Sequence, residues 1–427
     1  MLFFISLFLS ILLIALVRKH FQTSSPAAFF TYYWCTQVLV MVTFWHDFLL
    51  FNYHGVIFIL LCVACFDIGY AANGLKTCGP NYSITRYITY IPQTSIRVYL
   101  IVIVLAFFNV FYGIARQGFS LSNLLNFSDF LAMSNQASID RYSGEAEIGG
   151  VLSKALGINA YACPLIGGMM FYYFGNKQRW KSYISILPMI IAGLSQGVKM
   201  GIITGTFLYA IGIVISSKIL NKKIEISFKK LLMIGVIAIG FVAILAITMM
   251  FRIGKFDLDT LIVVSEKVVS YALGHLPAFD IWFESSSVSI FDLTFGGKTF
   301  YGITNTLGIL ERKSGIYEQM LTISNNDDMT NVYTAFRMIV EDFGYIGSFI
   351  YMFFIGYVVK YCYYAFLRKQ NFYFMTSLIC LIYFYIAWSM VTSIFAYATY
   401  ICLFFYLIIL LKFIFRVHVK QTNNIKL

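Results

Sequence analysis

Long apolar runs alternate with short polar connections along most of the chain, and the runs approach the length of membrane-spanning helices. An α-helix needs about 20 largely apolar residues to cross a bilayer. Two of the runs, 183–196 and 201–217, are short and are separated only by a polar stretch. The pattern predicts an all-α polytopic integral membrane protein with about eleven transmembrane helices, at 2–17, 28–50, 56–72, 97–115, 158–174, 183–196, 201–217, 231–250, 336–367, 372–391 and 394–415.

Composition indicates the same class. Of the 427 residues, 60% are hydrophobic and only 12% are charged, about half the charged fraction of a soluble domain. The mean hydropathy is +0.78. The pair Cys62 and Cys65 lies inside an apolar run, which favours two small buried thiols over a redox pair. No second cysteine pair stands nearby, and we expect no metal and no cofactor.

The basic residues predict an orientation. The net charge is +12, which in a membrane protein indicates the positive-inside bias rather than nucleic acid. If all eleven runs span, alternate connections carry the basic residues, and the C-terminus is cytoplasmic and the N-terminus outside. These residues are Arg18, Lys19, Lys76, Arg86, Lys177, Arg179, Lys181, Lys218, Lys222, Lys223, Lys229, Lys230, Arg368, Lys369, Lys412, Arg416 and Lys420.

Two connections are then large and external, at 116–157 and 251–336. The second carries ten of the 19 acidic residues of the chain. A connection of that length in a compact fold is usually functional. We therefore divide the chain into 1–250 with eight spans, a large and partly helical external loop at 251–336, and 337–427 with three spans and a cytoplasmic tail.

Basic residues at the external ends of the spans are candidates for binding an anion, since charge at membrane depth is costly. Lys199 lies in a segment rich in Gly and Ser, at 195–205, where backbone N–H groups can approach a phosphate. Arg252 follows the eighth span, and Arg337 stands where the chain re-enters the membrane. Arg116 and Arg141 add charge in the first external loop. An interfacial anchor is the plain alternative for Lys199 and Arg252.

Four residues are candidates for a general base. His275 is the only histidine of the 251–336 segment, and Asp280 and Glu284 follow it at helical spacing. Histidine titrates near neutral pH, although a lone histidine is more often a surface residue. Glu341 is four residues after Arg337, so the two can pair on one helix face. We favour a structural ion pair for Glu341 and anion binding for Arg337.

Several catalytic motifs are absent from the sequence. It has no Walker loop, no H-E-x-x-H and no G-x-S-x-G, which excludes the corresponding ATPase, metalloprotease and hydrolase chemistry. Asp257 and Asp259 form a lone D-x-D, and two carboxylates alone are weak evidence for a divalent ion. A metal-dependent glycosyltransferase of the soluble, nucleotide-sugar type is therefore not supported.

Three features resemble the O-antigen polymerase (Wzy) family, the oligosaccharide repeat-unit polymerases. The first is the many-span layout with a large external loop in the second half. The second is the 195–205 segment, in which Lys199 stands where the family often has Arg. The third is the segment 331–356, in which an Asn-x-Tyr-Thr end meets an Asp-Phe-Gly-x-x-Gly helix start.

The resemblance implies a membrane glycosyltransferase of the bacterial inner membrane. Such an enzyme moves a growing glycan from undecaprenyl diphosphate to the non-reducing end of an incoming lipid-linked repeat unit, at the periplasmic face. It would bind undecaprenyl-diphosphate-linked oligosaccharides and membrane lipid, and whether a chain-length regulator also binds stays open. Lys199, Arg252, Arg337 and Arg116 would then bind diphosphate, and His275, Asp280, Glu284 and Glu341 compete as the base. An O-antigen ligase and a polysaccharide flippase or exporter are the alternatives.

Overall fold

Helices dominate the computed structural model, which describes residues 1–22, 24–75, 86–143, 150–222, 228–310, 317 and 319–420. Lys76 and Lys223 of the basic connections lie outside the described residues, as do 144–149 of the first predicted external loop and 311–316 and 318 of the second. The first ten helices are α1 Leu2–His20, α2 Pro26–Phe44, α3 His54–Ala72, α4 Thr94–Arg116, α5 Phe127–Ser143, α6 Val151–Met170, α7 Trp180–Tyr183, α8 Leu187–Ser195, α9 Lys199–Ile219 and α10 Phe228–Ile253.

Six more helices follow, together with two small antiparallel sheets that the apolar pattern did not predict. Strand β1 (Arg86–Tyr90) pairs with β4 (Arg416–Lys420), and β2 (Leu321–Thr322) pairs with β3 (Met329–Thr330). The remaining helices are α11 Leu258–Leu273, α12 His275–Ser285, α13 Tyr301–Thr306, α14 Ala335–Leu367, α15 Phe372–Trp388 and α16 Ala398–Ile414.

The chain is a predominantly helical membrane-embedded protein. Among the described residues, six helices are long and apolar enough to cross a membrane, namely α1, α2, α3, α4, α9 and α14. Helices α15 and α16 are apolar and shorter. The predicted span 183–196 is divided between the end of α7, a 3-10 helix at Ile184–Ile186 and the nine residues of α8. Nine residues extend about 14 Å, roughly half the hydrocarbon core, and the count of eleven spans stays a prediction.

The chain forms two compact units. The first unit comprises Met1–Ser83 and Lys267–Ile401. Its helices α3 and α14 pack closely, because glycines remove the side chains that would separate them. A Cβ at Gly69 would overlap the carbonyl of Phe353, and one at Gly356 would overlap the carbonyl of Phe66. Small residues commonly allow this backbone approach in membrane proteins.

Helix α14 is bent near its beginning. Gly344 has φ 70° and ψ −179°, which divides the helix into a short first part and a long apolar second part. Positive φ is accessible to glycine at little cost. The bend sets apart a segment, 335–343, that carries Arg337, Glu341 and Asp342.

The second unit comprises Ile84–Glu266 and Cys402–Leu427. Helices α6 and α9 also pack closely, because glycines remove the side chains that would separate them. A Cβ at Gly168 would overlap the carbonyl of Tyr209, and one at Gly212 would overlap the carbonyl of Leu165. The polar 251–336 segment contains α11, α12, α13, β2 and β3. Its first residues, 251–266, belong to this second unit and the rest to the first.

Substitution of Gly69 by alanine tests the close packing of α3 on α14. The added Cβ has no space beside the Phe353 carbonyl, and overpacking of this kind costs about 1–3 kcal/mol. We expect a lower melting temperature in detergent for G69A than for the wild type. Gly157→Ala in α6 is the matched control, because a Cβ there meets no atom within 4 Å. Equal melting temperatures for the two variants would contradict the packing argument.

Candidate functional site

Arg337 lies in the first turn of α14 and is surrounded by three aromatic rings. Its guanidinium carbon is 3.7 Å from the ring centroid of Tyr317, 4.1 Å from that of Tyr333 and 4.8 Å from that of Trp282. The residue is only 8% exposed. Cation–π attraction is stronger when water is excluded. We call Arg337 and these three rings the Arg337 cage.

A carboxylate shared by two cations lies beside the cage. Glu341 Oε1 accepts a hydrogen bond from Arg337 Nε at 3.1 Å, and Oε2 accepts one from the Tyr317 hydroxyl at 2.7 Å. Oε2 also forms an ion pair with Lys298 Nζ at 3.1 Å. Burial raises the pKa of Tyr317 well above its ordinary value, and the charge of Glu341 raises it further. The phenol therefore stays protonated and donates. The predicted pairing of Arg337 with Glu341 is present.

One nitrogen of the Arg337 guanidinium has no hydrogen-bond partner among the described residues. This nitrogen, Nη1, is buried. A buried donor left unpaired costs about 1–3 kcal/mol, and more for a charged group. An anionic or hydroxyl-bearing ligand would supply the acceptor that Nη1 needs, in the charge-assisted geometry that guanidinium groups favour.

Asp342 fixes the position of Lys298. The carboxylate is fully buried and accepts hydrogen bonds from the Thr294 hydroxyl and from the backbone N–H groups of Lys298 (2.9 Å) and Thr299 (2.7 Å). The Asp342 carbonyl accepts from the N–H of Phe295 at 3.0 Å. The turn at 294–299 is thereby attached to α14, and this attachment places the Lys298 ammonium against Glu341.

Asp280 caps α3 from another part of the chain. Tyr53, the residue before α3, has a left-handed φ of 75°, and its side chain does not cap the helix. Asp280 Oδ2 accepts from the N–H groups of Asn52 (2.6 Å) and Tyr53 (2.9 Å), and Oδ1 accepts from those of Gly55 (2.6 Å) and Val56 (3.3 Å). Both oxygens are occupied by donors that α3 cannot pair internally.

Glu284 and His275 occupy different surroundings on α12. Glu284 accepts from the side-chain amide of Asn52 and lies 2.5 Å from Nδ1 of His54, and these contacts with Asn52 and His54 lower its pKa. His275 is buried with its ring edge-on to Trp34, at 5.9 Å between centroids. Burial lowers the pKa of His275 to about 3. A general base works best with a pKa near the operating pH, which disfavours His275.

Replacement of His275 by glutamine is expected to reduce the loss of stability in acid. Between pH 6.5 and about 3 the unfolded chain protonates this histidine and the folded chain does not, so stability falls as the pH falls. The loss from this residue is about 2 kcal/mol between pH 6.5 and pH 5. Melting temperatures at pH 7.5 and pH 5 should therefore differ less for H275Q than for the wild type.

His46→Gln is the control for that experiment. His46 pairs with Asp47, but their side chains are 42% and 91% exposed, and an exposed pair contributes little to stability, so H46Q should change the pH dependence much less than H275Q does. Parallel melting curves for H275Q and H46Q across the pH range would contradict a buried neutral His275.

The predicted cations of the second unit gather at one turn. Residues 195–199, which we call the Gln196 turn, connect α8 to α9, and Lys199 is the first residue of α9. The carbonyl of Gln196 accepts from Arg141 Nη2 at 2.6 Å. A Cβ at Gly197 would lie 3.3 Å from Cβ of Arg252. The Gly-rich spacing thus brings the backbones of Lys199 and Arg252 to one turn, together with the Arg141 guanidinium.

Arg116 has a different neighbour. It ends α4, and its Nη1 donates to the Ser153 hydroxyl of α6 at 3.3 Å. The D-x-D also has a local role, because Asp257 Oδ1 accepts from the N–H of Thr260 at 2.8 Å and caps α11. The described residues contain no group of three or more His, Cys, Asp or Glu placed to hold a metal ion.

Apart from His275 and Arg116, the candidate residues form three local groups. Arg337 and Glu341 belong to the cage and its carboxylate, Asp280 and Glu284 hold the start of α3, and Lys199, Arg252 and Arg141 surround the Gln196 turn. Sequence reasoning missed the partners of the first group, Trp282, Lys298, Tyr317, Tyr333 and Asp342. Aromatic residues close to charges in a polar segment were the available signal. Comparisons with protein-family models, with curated proteins and with solved structures gave no match.

Proposed function

We propose that this protein is a membrane glycosyltransferase that polymerises lipid-linked oligosaccharide repeat units, as O-antigen polymerases do. The observation that carries the proposal is the buried Arg337, with an unpaired Nη1 in a cage of aromatic rings beside Glu341 and Lys298. Aromatic faces suit the apolar faces of sugars, and a guanidinium suits phosphate or hydroxyl oxygens. The site thus combines the groups that a sugar-diphosphate substrate requires.

The reaction needs no cofactor, because diphosphate is itself a leaving group. A hydroxyl of the incoming repeat unit attacks the anomeric carbon of the growing glycan, and the bond from that carbon to the diphosphate oxygen breaks. The electron pair leaves on the diphosphate, and the hydroxyl proton passes to a base. In this proposal Arg337 stabilises charge that develops on oxygen, and the three rings hold its guanidinium in position.

Glu341 is the carboxylate nearest to such a substrate, and its existing contacts define its role. Both of its oxygens already accept hydrogen bonds, and Lys298, which is 39% exposed, is the partner that a substrate hydroxyl can most easily displace. Glu341 would then accept the proton once Lys298 has moved. Asp280 is a poorer base, since four backbone N–H groups occupy its oxygens.

The Gln196 turn supports a second anion-binding region in the proposal. Lys199 and Arg252 meet there with Arg141, at the N-terminus of α9, and helix N-termini favour anions. We assign this region to a lipid diphosphate. The protein would lie in a bacterial inner membrane with its C-terminus cytoplasmic, and transfer would occur at the periplasmic face.

Deletion of the gene and gel analysis of the surface polysaccharide test this function. A polymerase mutant should retain lipid A core that carries a single repeat unit, and the wild-type gene supplied in trans should restore the ladder. A ligase or flippase mutant should instead have no repeat unit on the core. An unchanged ladder would exclude all three activities.

A further inference from the structure

A groove of about 820 Å³ lies within the second unit, between the first half of α4 and the connection that follows α6. Ligand cavities in proteins commonly measure about 300–1,000 Å³. The groove contains neither Arg337 nor any residue of the Gln196 turn. It is therefore separate from the groups that the proposed function uses.

One wall of the groove is an apolar stripe of α4. Ile96, Tyr99, Leu100 and Ile103 line it, and their spacing of three and four residues puts them on one face of the helix. Tyr99 and Ile103 are buried and Leu100 is 53% exposed, so a ligand in the groove would contact mainly Ile96 and Leu100. The stripe is about 10 Å long at 1.5 Å per residue. Helix α4 is one of the six candidate spans, so this wall belongs to a segment that contacts hydrocarbon.

The rim of the groove is basic and carries an interfacial aromatic residue. Lys177, Trp180 and Lys181 line it, and none of its lining residues is acidic. Lys181 Nζ lies 2.9 Å from Gln178 Oε1 and 6.0 Å from the ring of Trp180, which is 58% exposed. Lysine and tryptophan together are typical of the level of the lipid headgroups.

We propose that this groove binds an anionic phospholipid of the surrounding bilayer, with its phosphate between Lys177 and Lys181 and an acyl chain along the stripe of α4. Charge complementarity at the rim selects an anionic headgroup, and the apolar wall selects a chain. The basic connection is one that the positive-inside rule assigns to the cytoplasmic leaflet, where anionic phospholipids reside. The lipid diphosphate of the proposed reaction would lie at the opposite face.

Tryptophan quenching in the full-length purified protein tests the proposal. Phosphatidylglycerol or phosphatidylcholine with brominated chains is added to the protein in detergent, and the signal of Trp180 is the difference between the wild type and Trp180→Phe. We expect half-maximal quenching of Trp180 at about a thirtyfold lower mole fraction of phosphatidylglycerol than of phosphatidylcholine, the preference that two lysines near an anionic headgroup provide. Equal quenching by the two lipids would overturn the proposal.

Matched charge variants locate the preference. The double variant Lys177→Gln with Lys181→Gln should abolish the preference for phosphatidylglycerol. The double variant Lys218→Gln with Lys222→Gln removes two lysines that do not line the groove and should retain this preference. Loss of the preference in both double variants would overturn the site. Unlabelled phosphatidylglycerol should relieve the quenching of the wild type, a result that depends on no variant. Relief by a polyprenyl phosphate but not by phosphatidylglycerol would assign the groove to substrate lipid and contradict the proposal.

Discussion

Replacement of Arg337 by lysine is expected to lower the rate of polymerisation at least about 100-fold, as loss of one donor that stabilises developing charge does in other enzymes. The planar guanidinium fork of Arg337 contacts Glu341, lies against three rings and leaves Nη1 for a ligand. Lysine keeps the charge but lacks this fork. The measurement is polymer length and rate in a deletion strain that carries R337K at wild-type protein level.

Arg368→Lys is the matched control for that substitution. Arg368 follows the last residue of the same helix, and its guanidinium carbon lies 4.3 Å from the ring centroid of Tyr364. It therefore shares the residue type and a cation–π contact with Arg337 but does not lie in the Arg337 cage. We expect a full ladder for R368K. A full ladder for R337K as well would remove Arg337 from the proposed reaction.

A double substitution separates a catalytic role of Arg337 from a structural one. Loss of Arg337 alone leaves Glu341, which is 12% exposed, with Lys298 instead of two cations, and weaker pairing of a buried charge destabilises a fold. R337Q with E341Q removes both charges together, so it should restore melting temperature relative to R337Q. Activity should stay absent in the double variant, because neither the guanidinium nor the carboxylate remains.

The sequence predicted those features that depend on residues close together in the chain. The run 56–72 corresponds to α3 at His54–Ala72, since the change from polar to apolar is abrupt there. The pairing of Arg337 with Glu341 follows from spacing along a single helix. The change in polarity at the start of α3 and the helical spacing of the ion pair are both local patterns, which a single sequence contains.

Side-chain hydrogen bonds explain why the run 183–196 is not one regular α-helix. In the run 183–196, the Ser185 hydroxyl donates to the carbonyl of Ser182, and the Ser182 hydroxyl donates to the carbonyl of Gly167. Such bonds compete with the backbone pairing of a regular helix. Pro188 at the second position of α8 also favours a new helix start. The pattern of apolar residues contains no information about these hydrogen bonds.

Long-range contacts explain what the sequence could not give at the site. Lys298 reaches Glu341 because Asp342 binds the 294–299 turn, and Tyr317 and Trp282 come to Arg337 from two other segments. No periodicity links these positions. No periodicity predicts the role of Asp280 either, because it caps the start of a helix more than 220 residues away in the chain. Its spacing from His275 in the sequence suggests a catalytic group instead.

Replacement of Asp280 by asparagine is expected to destabilise the protein by about 1–3 kcal/mol, the cost of leaving buried N–H donors without an acceptor. The amide offers one acceptor oxygen where the carboxylate offers two, and its NH₂ would face N–H donors at the start of α3. Loss of the negative charge also removes its attraction to the helix N-terminus. Melting temperature in detergent measures the effect.

Activity per folded molecule separates the cap from a base at this position. If Asp280 only caps α3, the fraction of D280N that folds should transfer glycan at a rate within about threefold of the wild type, whereas loss of a general base lowers the rate by about 10²–10⁴. Glu284→Gln is the control: its side chain is 30% exposed, and its contacts are expected to contribute about 1 kcal/mol or less. Unchanged stability of D280N together with lost activity would reverse the assignment, making Asp280 the base and leaving Glu341 as the structural partner of Arg337.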